Sequence, residues 1–183
     1  LSRLMLTYLG QNVSERELVD LSSICNQDFH LLDQAKPGEI AIITDFPSPG
    51  PCVKVNSKQI QQIVSNLVIN GWESMDDKSA GTIHLAISIV HSSGITDKFR
   101  FPLDWQPQDQ NYACLTVKDD GCGISDDDIE KIFDPFYTSK FTGRGMGLSV
   151  ILGILRSYEG AITVESKINE GTVFKVYIPV CSP

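Results

Sequence analysis

Ser65-Asn66-Leu67-Val68-Ile69-Asn70-Gly71 sits inside the most regular pattern of the sequence. Around it, Ile60, Ile63, Val64, Leu67, Val68 and Trp72 fall at i, i+3, i+4, i+7, i+8 and i+12, the apolar stripe of a helix buried along one side. Asn56 or Ser57 is placed to cap its start. Asn66 and Asn70 are four residues apart and share a face, beside the stripe and not within it, and Glu73 extends that polar face. Such a helix packs on a sheet while offering two uncharged carboxamides to a ligand. Magnesium takes few protein ligands and completes its octahedron with phosphate oxygens and water, so one Asn oxygen is a sufficient contribution.

Working outward, apolar spacing predicts a helix over residues 18–34, ended by Pro37-Gly38. Residues 40–45 read as a strand, and residues 52–55 as its partner across the Pro47-to-Pro51 turn. Residues 82–91 and 113–119 are strands. The polar, Pro-containing stretch between them reads as a long hairpin loop or an insertion. Ser125 should cap a short helix with Asp126, Asp127 and Asp128 in its first turn. A helix over 148–158 and strands over 161–165 and 172–178 close the chain. Hairpins mixed with crossover helices point to an α+β, two-layer α/β sandwich. Its sheet is mixed and mostly antiparallel, with helices on one face. Leu1, Leu4, Met5, Tyr8 and Leu9 keep helical spacing but start without a cap, the expected tail of a helix continuing from upstream.

Three further segments carry chemistry. Asp119-Asp120-Gly121-Cys122-Gly123 ends a strand on a carboxylate able to accept from an amino group. Gly121 and Gly123 let the chain turn close to a flat ring. Gly143-Arg144-Gly145-Met146-Gly147-Leu148 opens a helix. Its backbone N–H groups and helix N-terminus form an anion site, with Lys140 and Arg144 adding positive charge. It matches neither the G-x-x-x-x-G-K-[ST] phosphate loop nor the dinucleotide fingerprint. Phe133 and Phe136 anchor a connecting segment whose Thr-Ser-Lys-Phe-Thr stretch suits a lid. Thr172 opens the last strand, where it could donate to the ring held by Asp119.

Composition narrows the function classes. The chain has 183 residues, of which 42% are hydrophobic and 21% charged, an ordinary composition for one globular domain. Its net charge of −8 disfavours a nucleic-acid surface. It also requires that any anionic ligand be compensated locally. No apolar run approaches the roughly 18 residues of a membrane span, and the first residues lack the pattern of a signal peptide. Five scattered cysteines without a C-x-x-C pair read as reduced thiols of a cytoplasmic chain.

The ordered set of motifs resembles the catalytic and ATP-binding domain of two-component sensor histidine kinases, within the superfamily shared with gyrase, Hsp90 and MutL. Residues 65–71 resemble its N box, 119–123 its G1 box, 133–136 its F box, 143–148 its G2 box and 171–174 its last glycine motif. The likeness runs over residues 20–179, and residues 1–11 resemble the end of a dimerisation and phosphoacceptor helix. The resemblance implies a Bergerat-type fold, with residues 1–17 as helix end and linker and 18–183 as the ATP-binding domain. It also implies ATP and Mg²⁺ as cofactors. Asn70 would be the Mg²⁺ ligand and Asn66 a phosphate or metal-shell contact. Asp119 would bind the adenine amino group, with Gly121 and Gly123 at the ring and Thr172 supporting through water. Lys140 and Arg144 would belong to the lid, and Gly145, Gly147 and Leu148 would present amides to phosphate.

The γ-phosphoryl would pass to a histidine on the separate upstream dimerisation domain and onward to a response regulator or receiver domain. Direct membrane contact by this domain is not expected. None of His30, His84 and His91 has a phosphoacceptor setting, so the chain alone is not expected to autophosphorylate. Gly71 stands where Ala is usual, and Glu73 where many family members carry a basic residue. The gyrase, MutL and Hsp90 branches place a general-base Glu four residues before the metal Asn. Asn66 stands there and cannot take the proton, which sets an ATPase switch below the kinase reading. A nucleotide-binding module without transfer activity is the third reading.

Overall fold

A computed structural model describes residues 15–36, 38–75, 80–95, 99–134, 137 and 147–181, with only the backbone of residues 28, 30 and 31. The readings at residues 1–11 and at Lys140, Arg144 and Gly145 lie outside these.

The described chain opens with strand β1 (Glu17–Asp20), antiparallel to β3 (Cys52–Val55) in a two-stranded sheet. Helix α1 (Leu21–Ala35) follows directly. The sequence placed the helix start at residue 18 and paired residues 52–55 with 40–45, and both expectations are corrected. Asp20 explains the boundary. One carboxylate oxygen accepts the Ser23 N–H at 2.9 Å, capping α1. The other accepts the Gly50 N–H at 2.8 Å, tying the cap to the turn before β3. Leu18, counted into the helical stripe, is 57% exposed on β1.

The main sheet has six strands in the order β2-β4-β6-β8-β7-β5. Strand β2 (Glu39–Asp45) lies parallel to β4 (Ala80–His91), and β3 with helix α2 (Ser57–Glu73) supplies the crossover that a parallel pair requires. The other pairings, among β4, β6 (Asn111–Asp119), β8 (Gly171–Pro179), β7 (Ala161–Lys167) and β5 (Phe99–Phe101), are antiparallel. The stretch read as a loop or insertion thus adds an edge strand on β7. A three-residue Phe-Arg-Phe strand is too short to show a period of two.

Helices α1, α2 and α4 (Gly147–Ser157) cover one face. Along β6, Ala113, Leu115, Val117 and Asp119 point into that core, while Tyr112 and Cys114 point to the other face. There the connection before β6 covers Ile95, Tyr112, Cys114, Ala161 and Tyr177, and the Trp105 indole donates to the Glu159 carbonyl at 2.8 Å. On α2, Ile60, Ile63, Val64, Leu67 and Val68 are buried as the stripe predicts, while Trp72, its last member, is only partly buried against the core and Gly71 is buried beside it. Each fully buried aliphatic side chain contributes about 1.5–3 kcal/mol.

Short helix α3 (Asp126–Ile129) follows Ser125, which is the N-cap residue but does not cap by its side chain. Its hydroxyl instead donates to the Asp128 carboxylate at 2.7 Å, a charge-assisted bond.

Candidate functional site

The last turn of α2, the end of β6 and the start of β8 meet at Asp119, which is 4% exposed. Register fixes the meeting, since Asp119 pairs with Ile83 of β4 and Thr172 of β8. Its Oδ1 accepts the Gly121 N–H at 2.9 Å and the Thr172 N–H at 3.3 Å, with the Ser74 hydroxyl 3.2 Å away. Its Oδ2 accepts from no described residue. Burial pushes the carboxyl above the usual carboxylate range, helped by Asp120, while the bonds to Gly121, Ser74 and Thr172 oppose the shift. The result is a carboxylate locked through one oxygen, with an acceptor left over.

Two glycines are explained by this floor. A Cβ on Gly121 would fall 1.7 Å from the Ser74 hydroxyl oxygen. Gly171 has φ +95°, and a Cβ there would fall 2.0 Å from the Asp119 carbonyl oxygen. Gly123, expected at the ring, has φ +72°, and its open side faces the Lys167 carbonyl, 2.1 Å from where a Cβ would sit. The β7–β8 turn thus packs against the 120–125 loop. The Asn169 N–H donates to the Cys122 carbonyl at 2.8 Å, and the Cys122 N–H to the Ser74 carbonyl at 3.0 Å.

Ser74 and Ser166 were not singled out by sequence reasoning. The Ser74 hydroxyl also donates to the Gly71 carbonyl at 2.6 Å, joining the end of α2 to the floor. Ser166 Oγ accepts the Ile124 N–H at 2.8 Å, donates to the Gly171 carbonyl at 2.9 Å and lies 2.9 Å from Thr172 Oγ1. A small hydroxyl residue two positions before a turn carries no signal by itself. Only the register of β7 on β8, which sets Ser166 opposite Thr172, exposes it.

The asparagines rise from the same end of α2. Asn66 donates its amide to the Gly147 carbonyl at 3.4 Å, so it lies against the first turn of α4. Leu148, next along, packs partly buried on the core. Asn70 has a buried amide nitrogen without a hydrogen-bond partner among the described residues. A buried amide N–H left without an acceptor is costly unless a ligand completes it. Among the described residues no group of three His, Cys, Asp or Glu could hold a metal. What fits Mg²⁺ is the hard oxygen of Asn70, in the manner of an ion that keeps most of its shell for phosphate and water.

Beyond the floor, Phe133 is buried against Phe101, ring centroids 4.4 Å apart. The Tyr137 hydroxyl donates to Asp128 at 2.8 Å. The bonds from Ser125 and Tyr137 hold the Asp128 carboxyl below its ordinary range, and Asp128 raises the tyrosine. These contacts fasten the segment between α3 and α4 at its first end. The arrangement can hold a flat ring bearing an amine at Asp119 and direct a polyanion toward Asn66, Asn70 and the start of α4.

Comparison with known proteins bears on the family and the fold. A family model described as histidine kinase-, DNA gyrase B-, and HSP90-like ATPase matches residues 55–182. Sporulation kinase A of Bacillus subtilis is 29% identical over 180 residues, covering 98% of this chain and 26% of its own length. Sensor histidine kinase TmoS of Ectopseudomonas mendocina is 36% identical over 130 residues, 71% of this chain and 12% of its own. The chain therefore spans about a quarter or less of these relatives. The catalytic domain of histidine kinase ThkA superimposes with a TM-score of 0.70 at 23% identity, covering 91% of this chain and 97% of that domain. Full-length ShkA, solved with AMPPNP, gives 0.68 at 22% identity over 98% of this chain and 35% of ShkA. These two likenesses establish the fold, a mixed six-stranded sheet with helices on one face. By the match over residues 55–182, the chain belongs to the histidine kinase-, DNA gyrase B- and HSP90-like ATPase family.

Proposed function

We propose that this chain is the ATP-binding catalytic domain of a two-component sensor histidine kinase. It binds Mg·ATP and passes the γ-phosphoryl to a histidine on a separate dimerisation domain. The observation that carries this reading is the locked carboxylate of Asp119, whose Oδ2 is left to accept the exocyclic amine of adenine. Gly121 and Gly123 shape the loop beside the ring, and Thr172 completes the floor. The phosphates would be met by Asn66, Asn70 and the amides of Gly145, Gly147 and Leu148, with Lys140 and Arg144 adding positive charge.

Phosphoryl transfer asks the protein for positioning and charge neutralisation more than for covalent chemistry. Asn70 would hold Mg²⁺, which neutralises phosphate charge when bound. Asn66 orients the phosphate end from its place against α4. Because Asn66 is a carboxamide, water has no base there, and the γ-phosphoryl is kept for histidine.

Residues 1–17 form the proposed helix end and linker, and residues 18–183 the domain. Glu15, Arg16 and Glu17 are docked on it, with Arg16 donating to the Ser157 carbonyl at 2.7 Å. The upstream phosphoacceptor domain and a response regulator or receiver domain are the proposed partners, in the cytoplasm. No described helix is long and apolar enough to cross a membrane.

The test is to supply the parent's helical phosphoacceptor domain in trans with γ-labelled ATP. Acid-labile, alkali-stable label on its histidine, dependent on this chain, is the expected result. ATP binding without any label supports a binding module instead. Rapid phosphate release without the added domain supports an ATPase switch.

A further inference from the structure

Counting protons on the pocket floor shows where they are already committed. The N–H groups of Gly121 and Thr172 go to Asp119 Oδ1, and the Ser74 proton goes to the Gly71 carbonyl or to the same carboxylate oxygen. The Ile124 N–H goes to Ser166 Oγ, and the Ser166 proton to the Gly171 carbonyl at 2.9 Å. Ser166 Oγ is also 2.9 Å from Thr172 Oγ1. A hydroxyl has one proton to give, so with the Ser166 proton spent on Gly171, Thr172 is the donor in that contact. Thr172, 3% exposed, then turns only lone pairs outward.

We propose that Ser166 is a specificity-determining residue of this pocket. It holds the Thr172 hydroxyl as an acceptor, so that the floor receives an exocyclic amine and rejects a 6-oxo purine. Ser166 is a positioning residue, acting on the ligand through Thr172. The inference departs from the expectation that Thr172 donates to the ring, and it rests on the adenine reading of Asp119. A site whose buried polar groups all accept leaves two acceptors facing each other when a carbonyl enters, which is the strong form of discrimination.

The experiment compares ATP with ITP, which replaces the 6-amino group with a 6-oxo group, carries a proton on N1 and keeps the phosphates, by titration calorimetry of this chain at fixed magnesium. Wild type should prefer ATP by roughly thirtyfold or more, as expected for a mismatched charged acceptor. Ser166→Ala frees the Thr172 proton, so the preference should fall about tenfold, chiefly because ITP binds more tightly. Ser166→Thr, which restores the hydroxyl, should recover the wild-type ratio. Adding Thr172→Val to Ser166→Ala should abolish the gain in ITP affinity. An unchanged ratio in Ser166→Ala, or equal weakening of both nucleotides, overturns the proposal and leaves Ser166 a brace for the Ile124 loop. Asp119→Asn separates this from the underlying reading: if it leaves ATP affinity unchanged, the adenine assignment itself fails.

Discussion

At the N-terminal end of α2, Asn56 accepts the Gln59 N–H at 3.2 Å, donates its amide to the Glu15 carbonyl at 3.1 Å and gives its own N–H to the Tyr158 hydroxyl at 3.0 Å. Tyr158 in turn donates to Gln59, and the Arg16 guanidinium lies 5.0 Å above its ring. Burial raises the Tyr158 hydroxyl above its ordinary range, with the Asn56 bond and Arg16 opposing. At the C-terminal end of the same helix, among the described residues, Asn70 keeps an amide nitrogen buried without a partner, and Asp119 keeps an oxygen without a donor. Both ends carry polar side chains beside one continuous apolar stripe. One end is closed by the protein's own groups, and the other is left for a ligand to close. Pairing, not polarity, separates a polar group that builds structure from one that binds.

That contrast is open to attack by mutation. Asp119→Asn keeps an oxygen for Gly121 and Thr172 but sets an amide where the adenine amine must donate. ATP affinity should fall about 30-fold, or about 2 kcal/mol for a lost bond to a charged group. The fold should hold or gain. Because burial raises the Asp119 carboxyl above the usual carboxylate range, its favourable contribution is present below the unfolded value and lost as pH rises through the folded one. Near neutral pH the charged form therefore costs stability, and the amide removes that cost. Denaturant melts at pH 7 together with ATP titration check both halves. A large loss of stability with intact ATP binding would reverse the assignment of the two ends.

Asn56→Ala should do the opposite. It removes the cap and should cost about 1 kcal/mol of stability in a urea melt, with ATP affinity unchanged within about twofold. Gly71→Ala has the smallest expected effect. Helix propensity gains about 1 kcal/mol, against a Cβ placed 3.1 Å from Ile83 Cδ1 and 3.4 Å from Asp119 Cβ. Net stability should move by less than about 1 kcal/mol by the same measure, with ATP binding retained.

The stripe on α2 and the apolar strands were legible because long periodic patterns outvote local noise, and so the two-layer architecture followed from spacing. Asp119 and Thr172 were legible as ends of strands flanked by glycines. Three things were not. Leu18 carried apolar character into a strand exposed on an edge, where no period tells helix from sheet. Phe99-Arg100-Phe101 reaches the far edge through a connection whose length does not reveal its path. Ser74 and Ser166 acquire roles only through tertiary register, since each is a lone hydroxyl whose meaning is the neighbour it meets. Gly123 was read toward the ligand because glycine permits close approach, but its positive φ and the Lys167 carbonyl account for it from the other side.

The open end of α2 is best tested by ATP titration with and without magnesium, in wild type and Asn70→Ala. The Asn70 amide nitrogen has no partner among the described residues, so its removal should leave thermal stability nearly unchanged. Magnesium should strengthen ATP binding to wild type and do so about tenfold less in the variant, because the one proposed protein oxygen on the ion is gone. Equal magnesium enhancement in the two proteins would contradict the account.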